Sequence, residues 1–518
     1  MSDEQWQPAR LIPTSGISGP DEQETRATSA LLAVLPIVRE FGLGLFRPFG
    51  APSGSMETYI EVPLKTADGR TIRPDGLVRI SRGQRSWSAL IEVKTGPNDL
   101  GREQIENYLD VARDNGFDAV VTISNQLAPS AGVHPVDVDK RKVRKVALHH
   151  LSWAEVVSAA VIQRVHAGVS DPEQAWILAE LIRYLQHPRS GALDFSDMGA
   201  SWVSVRESIS AGTLRPNDKG LPEVVSRWDQ LLRFAALRLE RELGSGVQVV
   251  LSRKEAADPA ARTATLAADL ASRGVLTGVI RVPNTAGDLA IEADLRTNRC
   301  TISVEVAAPG EGRPLTRINW LVRQLTDAPA ALRVDAFAHM ARTSTSELLS
   351  AVRTDPTILL PDPRVDLRRF RVSAVSQLGH KRGVGRGSFI DSLLGSLDGF
   401  YESVLQALRP WTPKAPQLPK SRSVLVDAGI DTTVLPEEAG SSDLEEVTDG
   451  LEPDVHTVAE ASTSGDDDHE RPDEEVTHDA KAEHDDVPLV SWAQEIADVQ
   501  ATAASPWVPD GFGADDRD

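Results

Sequence analysis

The chain has 518 residues, enough for two or three domains, and a single cysteine, Cys300. One thiol excludes an intramolecular disulfide and a zinc site built on several thiolates. The net charge of −21 is unevenly spread: from Asp427 onward 28 Asp and Glu face 3 Lys and Arg, a net of −25, which leaves +4 for residues 1–426. A slightly basic body with an acidic C-terminal segment is compatible with nucleic acid as a partner. The opening Met-Ser-Asp-Glu-Gln-Trp is neither basic nor apolar, and apolar runs such as 30–38 fall far short of the ~20 residues of a membrane span. A soluble, cytoplasmic protein without membrane contact is expected.

Residues 1–20, rich in Pro, Gly and Ser, read as a flexible lead-in. From Asp21 a helical pattern begins, with Ala27, Leu31, Val34, Leu35 and Val38 at spacings of three and four. Pro36 is expected to kink this helix, and Phe41-Gly42 to end it. Three strands follow, Thr58 to Leu64, Thr71 to Ile80 (broken at Pro74) and Trp87 to Thr95, with turn residues at 67–69 and 82–84. A helix is expected over 98–115, with Ile105, Leu109 and Ala112 on its apolar face and Gly116 as its cap. A buried strand over 119–124 and another over 145–149 lead into a helix from Trp153. The order helix, three strands, helix, strand describes an α/β sandwich around a mixed sheet.

The third strand carries the informative residues. Ser88 to Lys94 is apolar except at Glu92 and Lys94, which share one face because successive strand residues alternate. Charges within a buried strand are costly unless paired or bound to a metal. Asp75, at the start of the preceding strand, can meet them across a hairpin. Magnesium is held by oxygen ligands and keeps several waters, so one or two carboxylates suffice. Asp75, Glu92 and the backbone carbonyl of Val93 are the candidate ligands for Mg2+ or Mn2+, with Lys94 beside the attacking water.

The Pro74-Asp75 and Glu92-Val93-Lys94 pattern, in this order of elements, resembles the PD-(D/E)xK superfamily with its restriction-endonuclease-like fold. The resemblance covers residues 21–165. It implies a metal-dependent nuclease, a hydrolase of phosphodiester bonds acting on DNA or RNA. It assigns Gln104, one turn before Tyr108, to the glutamine found on the helix after the motif strand. It also implies an accessory glutamate at the start of the first helix, which either Glu22 or Glu24 could supply. The alternative is a catalytically silent nuclease-like scaffold, or a nucleic-acid-binding protein that recruits partners through its acidic tail.

Residues 166–220 read as a helical connector, with a helix from Pro172 to Leu185. Residues 221–410 read as a second α/β domain: a helix over 222–243, strands over 247–251, 274–282, 288–296 and 300–307, a helix over 315–325, a strand over 332–338 and a closing helix over 388–408. Ser303-Val304-Glu305-Val306 loosely echoes the motif strand, as a decayed repeat would. The most basic stretch, 364–386, offers Arg368, Arg369, Arg371, Lys381, Arg382 and Arg386 as nucleic-acid contacts, set against an ordinary solvated surface. His149-His150 lacks a third ligand and reads as structural. The glycines of 383–387 read as a flexible loop or a phosphate site at a helix start. Arg317, Trp320 and Arg323 share a helix face that suits either stacking or the core. Residues 411–518 read as a linker and disordered acidic tail, with a short amphipathic stretch over 489–500 suited to a protein partner. No ATP-binding glycine–lysine loop is present.

Overall fold

The computed structural model describes residues 20–413 apart from 67–68, 97, 129–132, 340–342, 361 and 363, together with 7–8 and 11. The acidic tail and its amphipathic stretch therefore lie outside the described residues from 414 onward. The described fold is mixed α/β with two large sheets, both within one compact unit, Met1–Pro419. Among the described residues no single helix is long and apolar enough to cross a membrane.

The first sheet uses β1 (Gln7–Pro8), β2 (Ser55–Ile60), β5 (Gly76–Arg82), β6 (Arg85–Val93), β7 (Ala119–Ser124) and β8 (Ala147–Ser152), in that spatial order. A separate small hairpin, β3 (Leu64–Lys65) and β4 (Thr71–Ile72), bridges β2 and β5. Strands β1, β2, β5 and β6 are antiparallel, whereas β6, β7 and β8 run parallel. Gly83 at φ +58° supplies the left-handed residue of the two-residue turn that pairs Arg82 with Arg85. The parallel interior strand β7 is buried at every position, as its Ala-Val-Val-Thr-Ile-Ser sequence requires.

Helices α1 (Pro20–Ile37), α2 (Arg39–Phe46), α4 (Trp153–Ile162) and α5 (Pro172–Gln186) cover one face, packing on Ala89, Ile91, Val93, Val121 and Ile123. The first core thus runs past residue 165 to Leu185. Helix α3 (Arg102–Asn115) covers the other face through Ile105, Tyr108 and Leu109, against Leu77, Leu90 and Val120. Gly116 closes α3 in the left-handed conformation.

Gly42 does not end a helix. The break falls at Val38, just after Pro36, and α2 leaves α1 at 109° and continues through Gly42. A Cβ at Gly42 would lie 2.3 Å from the Leu35 carbonyl oxygen, so glycine is there for close helix approach. Gly42→Ala is expected to cost about 1–3 kcal/mol by overpacking, read as a lowered midpoint in urea denaturation.

The second sheet orders its strands β14 (Ser344–Leu348), β13 (Arg333–Ala338), β15 (Leu367–Gln377), β12 (Arg299–Ala307), β11 (Leu289–Asp294), β10 (Val275–Arg281) and β9 (Gln248–Val249). Every pair is antiparallel. Helices α6 (Trp202–Ser210), α7 (Leu221–Leu243), α8 (Arg253–Ala257), α9 (Pro259–Arg273), α10 (Pro314–Gln324), α11 (Leu349–Thr354) and α12 (Phe389–Phe400) complete this half. Helix α7 joins the halves: it packs on α4 on one side and on α9 and β10 on the other, where Trp228 Nε1 donates to the Thr277 carbonyl at 2.9 Å. Strand β15 lies between β12 and β13, whereas in the first sheet β6 and β7 are direct neighbours. The echo of the motif strand in β12 therefore does not extend to its pairing.

Candidate active site

Asp75 precedes β5 and Glu92 sits near the end of β6, and the hairpin register sets Gly76 opposite Ile91. The Val93 N–H donates to Asp75 Oδ2 at 2.7 Å, which fixes the aspartate beside Glu92. Lys94 Nζ lies 2.7 Å from Glu92 Oε1, 2.9 Å from Glu24 Oε1 and 3.0 Å from the Val93 carbonyl oxygen. Gln104, in the first turn of α3, donates from Nε2 to Glu92 Oε1 at 2.7 Å and to the Tyr108 hydroxyl at 3.2 Å. The Lys94 backbone is held too: Trp153 Nε1 donates to its carbonyl at 2.9 Å, and its N–H donates to the Ile123 carbonyl at 2.8 Å. Residues from β5, β6, α1, α3 and α4 thus meet at one end of the sheet.

Of the two candidate glutamates, the structure brings Glu24 to the site. Its second oxygen accepts from the Thr95 N–H at 3.4 Å. Gln23, between them, donates to the Arg189 carbonyl at 2.7 Å and so locks the start of α1.

The electrostatics follow from burial. Glu92 is only 1 % exposed. Burial raises the Asp75 pKa well above the usual carboxylate range, and the Glu92 charge adds to this, against the Val93 N–H and Lys94. Burial also raises Glu92, opposed by Lys94. For Lys94, burial favours the neutral amine, but Glu92 and Glu24 outweigh it and raise the pKa, so it stays charged. Burial, with the nearby Glu92 charge, keeps the Tyr108 hydroxyl protonated.

Glu92 Oε2 is buried without a hydrogen-bond partner. A buried carboxylate oxygen left unpaired is costly, and a ligand cation is one way to satisfy it. Among the described residues no group of three His, Cys, Asp or Glu side chains forms a ready-made metal cage. The oxygens at this end of the sheet belong to the carboxylates of Asp75, Glu92 and Glu24 and to the Val93 carbonyl, the donor type that suits a hard divalent ion that keeps its waters.

Next to Glu92 on the sheet lies a polar cluster of which only His150 stood out in the sequence. Thr122 pairs with Glu92 in register and with His150 on its other side. Thr122 Oγ1 lies 2.9 Å from His134 Nε2 and 2.8 Å from His150 Nδ1, and His150 Nε2 lies 2.7 Å from the Gln126 carbonyl oxygen. One pattern of neutral rings connects the chain from Val136 to Gln126: His134 Nδ1 accepts from the Val136 N–H at 3.0 Å, His134 donates to Thr122, Thr122 donates to His150, and His150 donates to Gln126. Burial lowers the His134 pKa from 6.5 to about 4, so the folded state holds the neutral ring. Between about pH 6.5 and pH 4 the unfolded chain binds the extra proton and the folded chain does not, so stability falls as pH falls through that window. A His134→Gln variant should show a shallower fall in Tm over this range than the parent; parallel curves would count against the network.

His149, the other half of the His pair, stacks on Phe49 at 4.2 Å between ring centroids, a structural placement. The basic stretch 364–386 is engaged in part. Arg369 and Arg371 both ion-pair with Glu305 and lie over the Phe337 ring. Arg382 pairs with Asp197, and Arg368, Lys381 and Arg386 are exposed. The glycine loop ends at the α12 cap, where Ser388 accepts from the Asp391 N–H and Asp391 accepts from the Gly385 N–H, which places a carboxylate where a phosphate would dock. Arg317 is buried and pairs with Asp366, and Trp320 packs on the second core.

Comparison of the chain with protein-family models, with curated proteins and with solved structures gave no match.

Proposed function

We propose that Asp75, Glu92 and Lys94 form the centre of a metal-dependent phosphodiesterase that cleaves nucleic acid, with DNA the first substrate to test. The observation that carries this reading is their convergence: the charged ends of Glu92, Lys94 and Glu24 meet within 3 Å contacts, with Gln104 on Glu92 and Asp75 on the adjoining N–H. The antiparallel run β2–β5–β6, followed by α3 and by β7 parallel to β6, supports a restriction-endonuclease-like reading of this half.

Asp75, Glu92 and the Val93 carbonyl would hold Mg2+ or Mn2+, which when bound polarises a phosphate and makes water more acidic. Lys94 orients a water and offsets charge that develops on phosphate oxygens. Glu24 holds the ammonium in place, and Gln104 fixes the Glu92 carboxylate. Trp153 pins the Lys94 backbone so that the side chain is aimed rather than free.

The second reading, a silent scaffold, draws support from the same ammonium: Lys94 already contacts oxygens of Glu92, Glu24 and Val93, so the buried Glu92 has a cation partner without a metal. Cleavage of plasmid, linear, single-stranded and structured DNA and RNA, titrated with Mg2+ and Mn2+, separates the two. Metal-dependent cleavage that Asp75→Ala removes is the expected result. No cleavage of any substrate with either metal leaves the scaffold.

A further inference from the structure

The segment 137–145, Asp-Val-Asp-Lys-Arg-Lys-Val-Arg-Lys, holds five basic and two acidic residues between β7 and β8. Its inward and outward residues are sorted. Val136, Val138 and Val143 pack on the α3 core, where Val146 is fully buried. Lys142 is pinned to α3, with Nζ 2.5 Å from Asp110 Oδ2 and 3.3 Å from the Glu106 carbonyl oxygen. The Asp139 N–H donates to Glu106 Oε1 at 3.1 Å, and its carboxylate accepts from the Arg141 N–H at 2.9 Å. The remaining cations, Lys140, Arg141, Arg144 and Lys145, are exposed, and none makes an ion pair among the described residues. The helix that anchors this surface is the one that carries Gln104 to Glu92.

We infer that Lys140, Arg141, Arg144 and Lys145 form a docking surface for the phosphodiester backbone of duplex DNA, flanking α3 and leading the strand to the site; the inference rests on the proposed nuclease reading. Distance along the helix supports it. From Gln104 to Asp110 an α-helix advances about 9 Å, roughly three base-pair steps of DNA. A surface pinned at Asp110 is thus close enough to hold phosphates of the same duplex whose bond is cut. Four cations held on a short turn, two on each side of the pinned Lys142 and partly buried Val143, present charge without having to order a long loop.

The test measures binding of the full chain to duplex DNA in EDTA, where cleavage plays no part. In Lys140→Ala/Arg141→Ala/Arg144→Ala/Lys145→Ala, affinity should fall about 10²–10³-fold at 0.1 M salt, and the slope of log K against log salt should flatten by about 3–4. If that variant fails to fold, Arg144→Gln/Lys145→Gln should flatten the slope by about 2. An unchanged slope overturns the inference. So does a variant that loses binding to phosphatidylserine vesicles while its DNA binding is intact. Protein that binds through this surface but cleaves nothing with metal upholds the surface and removes the catalytic reading.

Discussion

Lys94→Ala is expected to lower single-turnover cleavage by about 10²–10⁴-fold, the range for loss of a positioned proton-transfer or charge-stabilising group. The effect is large because, among the described residues, Lys94 is the one cation contacting Glu92 and Glu24. Its removal takes away the group that would aim the water, and it also leaves Glu92, 1 % exposed, beside Asp75 with no ammonium. Glu92 would then favour its protonated form, since burial already pushes its pKa up and the charge opposing that rise is gone. A protonated Glu92 is a poor ligand for a divalent ion, so the variant should need more metal for its residual activity. Measuring rate against Mg2+ and Mn2+ concentration separates the two losses: the plateau reports the missing ammonium and the midpoint reports the altered carboxylate. Cleavage within about threefold of the parent, a difference well below the general acid–base range, would remove Lys94 from the mechanism.

Arg262→Met should destabilise the second half by about 3–5 kcal/mol. Arg262 on α9 grips Asp229 on α7 through both Nε and Nη2, at 2.7–3.0 Å, and also reaches Glu255 at 2.9 Å. Asp229 is 5 % exposed, so the variant strands a buried carboxylate with no cation. The size of the loss reflects that stranded charge more than the attraction itself. Arg262→Met/Asp229→Leu should therefore recover most of it. Urea denaturation of both variants gives the comparison, and a single variant within about 1 kcal/mol of the parent would contradict the assigned role. Because α7 also packs on α4, the lost stability should be felt by the half that carries the candidate site.

What was legible in the sequence divides along a physical line. Strand β7 and the C-terminal end of α3 were readable because local signals are strong there, a continuous apolar run and a glycine at the left-handed cap, whereas α3 starts at Arg102 rather than at 98. Glu92 and Lys94 were readable because charge in an apolar strand stands out at any tertiary arrangement, whereas Asp75 followed from the hairpin and Gln104 from the family resemblance. The choice of Glu24 over Glu22 was not, since two residues apart on a helix point to different sides and only the docking of α1 decides which side meets Lys94. Strand β15 was hidden by its arginines. Phe370 and Val372 are fully buried, while Arg369 and Arg371 on the opposite face are satisfied by Glu305, distant in sequence. Read alone, that alternation looks like a basic surface. Helix α9 was missed because its inward stripe, Arg262, Leu266 and Leu270, begins with an arginine whose burial depends on Asp229 in another helix.

The position of β15 sets an order on how this protein is made. Strands β12 and β13 both pair with it, and neither pairs with the other. The chain between the end of β12 at Ala307 and the end of β15 at Gln377 is 70 residues long. At about 5–20 residues per second of synthesis, the sheet stands split for roughly 4–14 s, with an open edge on each part. Open edges of apolar strands are where nascent chains associate with one another. A translational pause placed just after residue 307 would lengthen that interval, and one placed after the exit of residue 377 would not. The yield of folded protein should therefore depend on where along the message the ribosome slows.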